Sequence, residues 1–283
     1  MTLVADAVFK DRADFAPVRT AWRRLPVPRA TSVLPYLLPV AAIAAWQLAA
    51  SAGWITNRFM PSPLDVVLAF WDKAASGELA TNIAVSGGRA LAGLAIGGSI
   101  GFLLGLANGV SRVSESLTDT TLQMIRTIPN LALIPLVILW FGIGEEAKLF
   151  LSTLGVMFPI YLNTVHGVRS VDPALVEMGR AYGMNGFTLF RRVIFPGALP
   201  SIFVGLRFSL GIMWITLIVT EQIAASSGIG HMANQAREFM MTDVVVLTLV
   251  LYAALGKLAD VIARTLEGWT LRWHPAYQKS GGA

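Results

Sequence analysis

Apolar residues in this chain gather into runs of about twenty, the length a helix needs to cross a hydrocarbon core of roughly 30 Å. Short polar stretches separate the runs, which fall at about 33–54, 84–109, 120–142, 147–167, 201–224 and 243–263. The pattern predicts an all-α, polytopic integral membrane protein with six transmembrane helices. A tail over 1–32 precedes a membrane domain over 33–265, and a second tail covers 266–283. Between the first two runs lies RFMPSPLDVVLAFWDKAASGEL, where Pro61 and Pro63 open a short amphipathic helix too polar to span and suited to the interface.

Composition agrees with that pattern. Hydrophobic residues are 55% of the 283 positions and charged ones 14%, against roughly a quarter charged in a soluble domain, which excludes a water-soluble globule. Cysteine is absent, which removes disulfides, thiolate metal sites and a cysteine nucleophile. The basic tail is no cleavable signal peptide, because its apolar run starts too late and no small-residue cleavage pattern follows.

The net charge of +5 reads as topology rather than nucleic-acid binding. With the N-terminus in the cytoplasm, that side receives six basic residues of the tail, then Arg112, Arg169, Arg180, Arg191, Arg192, Arg264, Arg272 and Lys279. The other side receives only Arg58, Lys73, Lys148 and Arg237. Both termini are then expected in the cytoplasm.

Three runs are unlike plain lipid-facing helices. The second carries Gly93, Gly97, Gly101, Gly105 and Gly109 at every fourth position, a smooth stripe that lets another backbone approach closely. The third contains TIPNLALIP, where Pro129 and Pro135 flank Asn130 and remove two backbone donors; the fourth holds Pro159. Carbonyls freed at that depth are tolerated only when buried in protein or facing a wet cavity. The third run therefore reads equally as a lining of the transport pathway and as a simple kink.

One polar interruption stands out at 172–200. Asp172 and Pro173 form an N-cap and first-turn pair, ALVEMGRAY continues as a helix to Gly183, and Asn185-Gly186 makes a turn. A second short helix, FTLFRRVIF, is expected to stop before Pro196, with Pro200 starting the fifth span. The first helix sets Glu177 and Arg180 on one side and offers Val176, Met178 and Tyr182 as an apolar grip, which suits docking into a partner's groove.

The stretch resembles the signature loop of the inner-membrane permease subunits of binding-protein-dependent ABC importers. That loop begins Glu-Ala-Ala, has Gly four residues after the second Ala, and closes with Ile-x-Leu-Pro. Here Glu177, Gly183, Val193 and Pro196 stand in register, while Met178 and Gly179 replace the alanines and Phe195 the leucine. Gly179 is expected to make the helix more flexible than alanine would. The resemblance runs from about residue 33 to 277, through LALIPLVILWFGI, FPIYLNTVHGVRSVD, PGALPSIFVGLRFSLGIMWITLIV and REFMMTDVVV. It is nearest the aliphatic sulfonate branch, with the taurine and nitrate/bicarbonate permeases also similar.

The resemblance implies a type I ABC importer permease fold in a bacterial inner membrane and a homodimeric pore. It implies two cytoplasmic ATPase subunits that bind ATP and magnesium, and a periplasmic binding protein that delivers substrate. Glu177, Met178, Gly179, Arg180, Tyr182, Gly183 and Pro196 would belong to the coupling loop, with Glu177 fixing its orientation and Gly183 its turn. This chain has no GxxxxGK[ST] loop, since Gly256-Lys257 lacks the flanking residues, so it carries no ATPase site or cofactor of its own.

Arg89, Arg126, Arg207 and Lys257 lie in or beside the runs, where a charge rarely faces lipid. Guanidinium donors suit the three equivalent oxygens of a sulfonate, so Arg126, Arg89 and Arg207, with Pro129 and Asn130, are candidates for the substrate pathway. Arg89 and Arg207, placed near the cytoplasmic ends of their helices, also read as anchors. Glu221 and Gln222 read as capping or interhelical bonds rather than a proton relay. His166 and His231 lack partners at metal spacing, so no metal site is expected. Tryptophans such as Trp46, Trp54, Trp140 and Trp273 read as interfacial anchors. A secondary transporter would need internal repeats or mid-membrane ion pairs and a membrane enzyme a catalytic cluster on one helix; neither pattern stands out.

Overall fold

A computed structural model describes residues 34–56 and 59–274. The tail over 1–32, Arg58 and the end of the second tail, with Lys279, lie outside the described residues. The chain divides into units Met1–Leu48 and Ala49–Ala283. Helix α1 (Leu34–Ser51) spans that division, has no charged residue and contains Pro39. All the packing below lies within the second unit.

That unit opens with α2 (Pro63–Ala75), started by a reciprocal cap. The Asp65 backbone N–H donates to Ser62 Oγ at 3.2 Å and the Ser62 N–H donates to Asp65 Oδ2 at 2.9 Å. Gly77, at φ +77°, turns the chain into α3 (Glu78–Val110), and Lys73 Nζ meets Glu78 Oε2 across the turn at 2.6 Å. There follow α4 (Arg112–Thr127), a 3-10 turn Asn130–Leu133, α5 (Ile134–Phe141), α6 (Glu145–Arg169) and α7 (Pro173–Ala181). Then come α8 (Gly186–Leu189), a π turn Phe190–Ile194, α9 (Phe195–Ala224), α10 (Ile229–Glu238) and α11 (Thr242–Thr270). No strand occurs among the described residues.

Among the described residues four stretches are long and apolar enough to cross a bilayer: α3, α6, the joined α8–α9 and α11. Helices α4 and α5 pass that test only together, as a pair bent by 83°. The run expected over 120–142 is therefore not one straight helix: Pro129 lacks a donor for the preceding turn, and the helix breaks there. A second correction concerns Pro196. The helix expected to stop before it continues from Gly186 to Ile223, because the π turn Phe190–Ile194 shifts the hydrogen-bond register and brings Pro196 into the first turn of α9, where no N–H is needed.

The centre of the fold is the contact of α3 with α6, which run parallel. A Cβ on Gly93 would sit 2.8 Å from Ser152 Cβ, and one on Gly105 2.6 Å from Thr164 Cβ. On Gly97 and Gly101 it would strike the backbone oxygens of Thr153 and Met157. The four-residue spacing thus gives α6 a groove with no side chains in the way. Helix α9 runs antiparallel on the other side of α6, with Gly167 against Ala198 O and Gly205 against Asn163. Ser209 Oγ donates to Val156 O at 2.9 Å and Ser201 Oγ to Asn163 O at 2.8 Å, so side-chain hydrogen bonds join α9 to the α6 backbone beside the apolar contacts. Ala90, Val156, Ile160, Leu210, Met213, Leu217 and Ala263 fill the core where α3, α6, α9 and α11 meet.

These contacts define two ends of the bundle. One gathers Asn108, Arg169, Ala198 and Glu267 and leads into α7; the other gathers Asn82, Arg89, Glu145, Glu221 and Gly228.

Gly101→Ala should destabilise the protein by about 1–3 kcal/mol through overpacking, whereas Gly87→Ala, which meets nothing within 4 Å, should be neutral or stabilising. Thermal unfolding of the two detergent-solubilised variants checks this, and equal midpoints would show that close α3–α6 approach is not limiting.

Candidate functional site

The most exposed organised structure at the α7 end is α7 itself. Asp172 Oδ1 accepts from the Ala174 N–H at 2.9 Å and Pro173 sets the first turn. At the other end Gly183, at φ +78°, donates from its N–H to Arg180 O at 2.9 Å, and the Met184 N–H donates to Gly179 O at 3.1 Å. This paired closure is a Schellman motif, and it satisfies the last carbonyls of a helix too short to be stable alone.

The two faces of α7 differ. Gly179 is buried, and a Cβ there would lie 2.6 Å from Leu189 Cδ1, so this glycine serves close packing on α8 rather than the flexibility expected of it. On the outward face Leu175, Met178 and Tyr182 are 47%, 50% and 78% exposed, three side chains at i, i+3 and i+7 forming one apolar stripe. Val176, expected in that grip, is half-buried, and Leu175 takes its place. Glu177 and Arg180 lie off the stripe, both exposed, with side chains bonded to no described residue. The cap comes from Asp172, not Glu177. Pro196, in the first turn of α9, belongs to the returning helix.

A cavity of about 450 Å³ opens where the α4–α5 break faces α6 and α9. Its walls are mostly apolar, with Ile128, Pro129, Phe158, Pro159, Phe208 and Ile212 contributing. Asn130 donates from Nδ2 to Leu151 O at 3.1 Å, while its Oδ1 has no partner. Arg126 lines the mouth, exposed and bonded to no described residue. Pro129, Asn130 and Arg126 thus come together at one cavity wall.

The other intramembrane cations are neutralised. Arg89 is 5% exposed and lies at the end opposite α7, although it was expected at the same end as the coupling loop, because α3 runs towards α7 and Arg89 is near its start. Its Nη2 meets Glu145 Oε1 at 2.6 Å, and Nη1 meets Glu221 Oε1 at 2.7 Å and Ser227 O at 2.7 Å. Arg207 pairs with Asp260 at 3.3 Å and Glu267 at 3.6 Å, and Lys257 approaches Asp260 at 3.8 Å.

Glu221 is fully buried and is the hub of the far end. It accepts from Ser86 Oγ at 2.8 Å, from Tyr252 OH at 3.0 Å and from the Gly230 N–H at 2.9 Å, besides Arg89. Asn82 and Ser86 accept from the Gly228 and Ile229 N–H groups. Three side chains therefore cap the start of α10 and fix the loop over 225–242 to α3 and α9. Glu221 is thus an interhelical bond, as expected, although its link to Arg89 was not foreseen. No group of three or more metal-binding side chains occurs among the described residues.

The family described as binding-protein-dependent transport system inner membrane component matches residues 97–272, which include the glycine groove from Gly97 onward, the cavity wall and α7. The chain belongs to that family. It is the permease subunit of an ABC importer, and sequence relatives bear this out. SsuC of Escherichia coli strain K12, named as an aliphatic sulfonates transport permease protein, is 61% identical over 87% of this chain and 93% of its own length. SsuC of Bacillus subtilis strain 168, of the same name, is 40% identical over 86% and 88%. TauC of Escherichia coli strain K12, a taurine transport system permease protein, is 32% identical over 83% and 88%.

Replacing Glu221 with Ala in this permease would strand the Tyr252 hydroxyl and the Gly230 N–H, remove the acceptor of Ser86 Oγ and leave Glu145 as the one carboxylate on Arg89. A loss of about 3–5 kcal/mol is expected, against about 1 kcal/mol for Tyr252→Phe. Thermal unfolding in detergent measures both; a Glu221→Ala protein as stable as wild type would contradict the hub.

Proposed function

We propose that this permease forms, with a second copy of itself, the pore of an ATP-driven importer of aliphatic sulfonates in a bacterial inner membrane. Two cytoplasmic ATPase subunits bind ATP and magnesium and hold the α7 stripe in a groove, and a periplasmic binding protein supplies the substrate. Both termini are cytoplasmic on this reading. The chain has no phosphate-binding loop of its own, so hydrolysis belongs to the partner and the permease only transmits it.

The observation that carries the coupling role is the outward stripe of Leu175, Met178 and Tyr182 on a helix capped at both ends. Three large side chains left in water at helical spacing are what a partner's groove buries. The end that carries them also holds Arg112, Arg169, Arg191, Arg192 and Arg264, as the positive-inside rule asks of a cytoplasmic face.

The substrate class follows from the cavity together with the relatives' names. An aliphatic sulfonate has a monoanionic head and an apolar tail. Arg126 is the cation at the cavity mouth with no carboxylate beside it, and the walls behind it are hydrocarbon. A guanidinium fork matches the head's oxygens. Nitrate has no tail to place on those walls, and the ammonium of taurine gains nothing from them.

Purified permease, reconstituted in vesicles with its ATPase and binding protein, should take up hexanesulfonate in preference to taurine and nitrate when ATP is supplied. Arg126→Gln should lower that uptake about tenfold, the loss expected for one charge-assisted contact, while the ATPase stays bound. Preferred uptake of taurine or nitrate would refute the substrate assignment, and full uptake by Arg126→Gln would remove that residue from the pathway.

A further inference from the structure

Helix α4 is built unlike the rest of the bundle. Its outer face carries Val113, Leu117 and Met124, all exposed, and none of its residues is buried. The face turned inward repeats at 114, 115, 118, 119, 122 and 123, and apart from Leu122 it is polar. A helix usually attaches by its apolar stripe; this one is held by side-chain hydrogen bonds.

Those bonds all lie in its first half. Ser114 Oγ donates to Asn108 Oδ1 at 2.5 Å, and Asn108 Nδ2 donates to Thr118 Oγ1 and to Tyr161 OH, both at 2.8 Å. The Tyr161 hydroxyl donates onward to Asp119 Oδ1 at 2.8 Å. Arg169 spans the joint, with Nη1 on Glu115 Oε1 at 2.5 Å and Nη2 on Asn108 O at 2.8 Å. Beyond Asp119 no described side chain of α4 bonds to another helix.

Both ends of this arrangement matter for transport. Arg169 is three residues before Asp172, the cap of α7, and rides on α6, which the glycine groove fixes to α3. The free end of α4 carries Arg126, about 10 Å along the axis from Asp119 at 1.5 Å per residue, and then breaks at Pro129 beside the cavity. A rod gripped at one end and jointed at the other turns a small tilt at the grip into displacement of the cavity wall. Because the outer part of the grip, Arg169 with Glu115, is polar and partly exposed, water can replace that bond as α4 tilts about the buried Asn108 and Tyr161, whereas interlocked apolar packing could not slide without opening a void.

We infer that the polar clamp of Asn108, Tyr161 and Arg169 on α4 is the joint through which movement of the α7 loop is transmitted to the cavity wall at Arg126 and Pro129. The inference rests on the reading of α7 as the docking helix. Tyr161, Asp119, Glu115 and Arg169 are positioning residues and need touch neither substrate nor ATPase.

The test compares ATP consumed per hexanesulfonate imported in vesicles holding the full complex. Tyr161→Phe keeps the ring and removes the bridging hydroxyl; it should raise the ratio at least about threefold, in line with loss of one hydrogen bond, with the ATPase still bound and hydrolysing. Asp119→Ala should do the same, and Asp119→Asn, which keeps an accepting oxygen for Tyr161, should restore the wild-type ratio. If Tyr161→Phe does not assemble, the Ala and Asn variants at 119 decide by themselves. A wild-type ratio in both Tyr161→Phe and Asp119→Ala overturns the joint. A wild-type complex that imports no hexanesulfonate although its ATPase is bound overturns the transport reading, and the joint falls with it.

Discussion

Helix α6 touches α3 almost backbone to backbone, and the rest of the molecule is arranged around that contact. Thr153 and Met157 present carbonyl oxygens where any side chain on Gly97 or Gly101 would have to sit. Lipid offers no hydrophobic drive between two apolar helices, so close approach and the dispersion it gives must supply the adhesion. The result is a stiff centre. Because α6 also carries α7 and forms one wall of the cavity, α7 and the cavity are mounted on one rigid element.

Charge inside the bundle is arranged to leave little of it free. Arg89 and Arg207 each meet two carboxylates, and the Glu221 oxygens are shared among four donors. Such satisfied networks hold helix ends in register. Arg126 differs by having no described partner, and it stands on the one long-element break that opens towards a cavity.

Much of this was legible where the signal is local. The four-residue glycine spacing specified a close helix partner, and Asp172-Pro173 with Gly183 specified a short capped helix, because caps and turns depend on residues a few positions apart. The long-range facts were less accessible. Arg89 and Glu221 are far apart in sequence, yet the alternating direction of the spans places both near the same membrane face, and following that direction would have paired them. Gly179 looked like a weakness in a helix and is a contact point, which only the position of Leu189 reveals. The π turn that carries the chain through Pro196 left no mark in a pattern where proline ordinarily means a stop.

The account turns on whether α7 meets an ATPase from the cytoplasmic side. Since the chain has no native cysteine, a Tyr182→Cys variant offers one thiol at a known place. Treated with a short thiol-reactive crosslinker in inside-out vesicles holding the complex, it should join to the ATPase subunit, with a yield that changes when ATP is added. Labelling of that thiol only from the periplasmic side, or no crosslink to any second protein in a complex that still transports, would contradict the account.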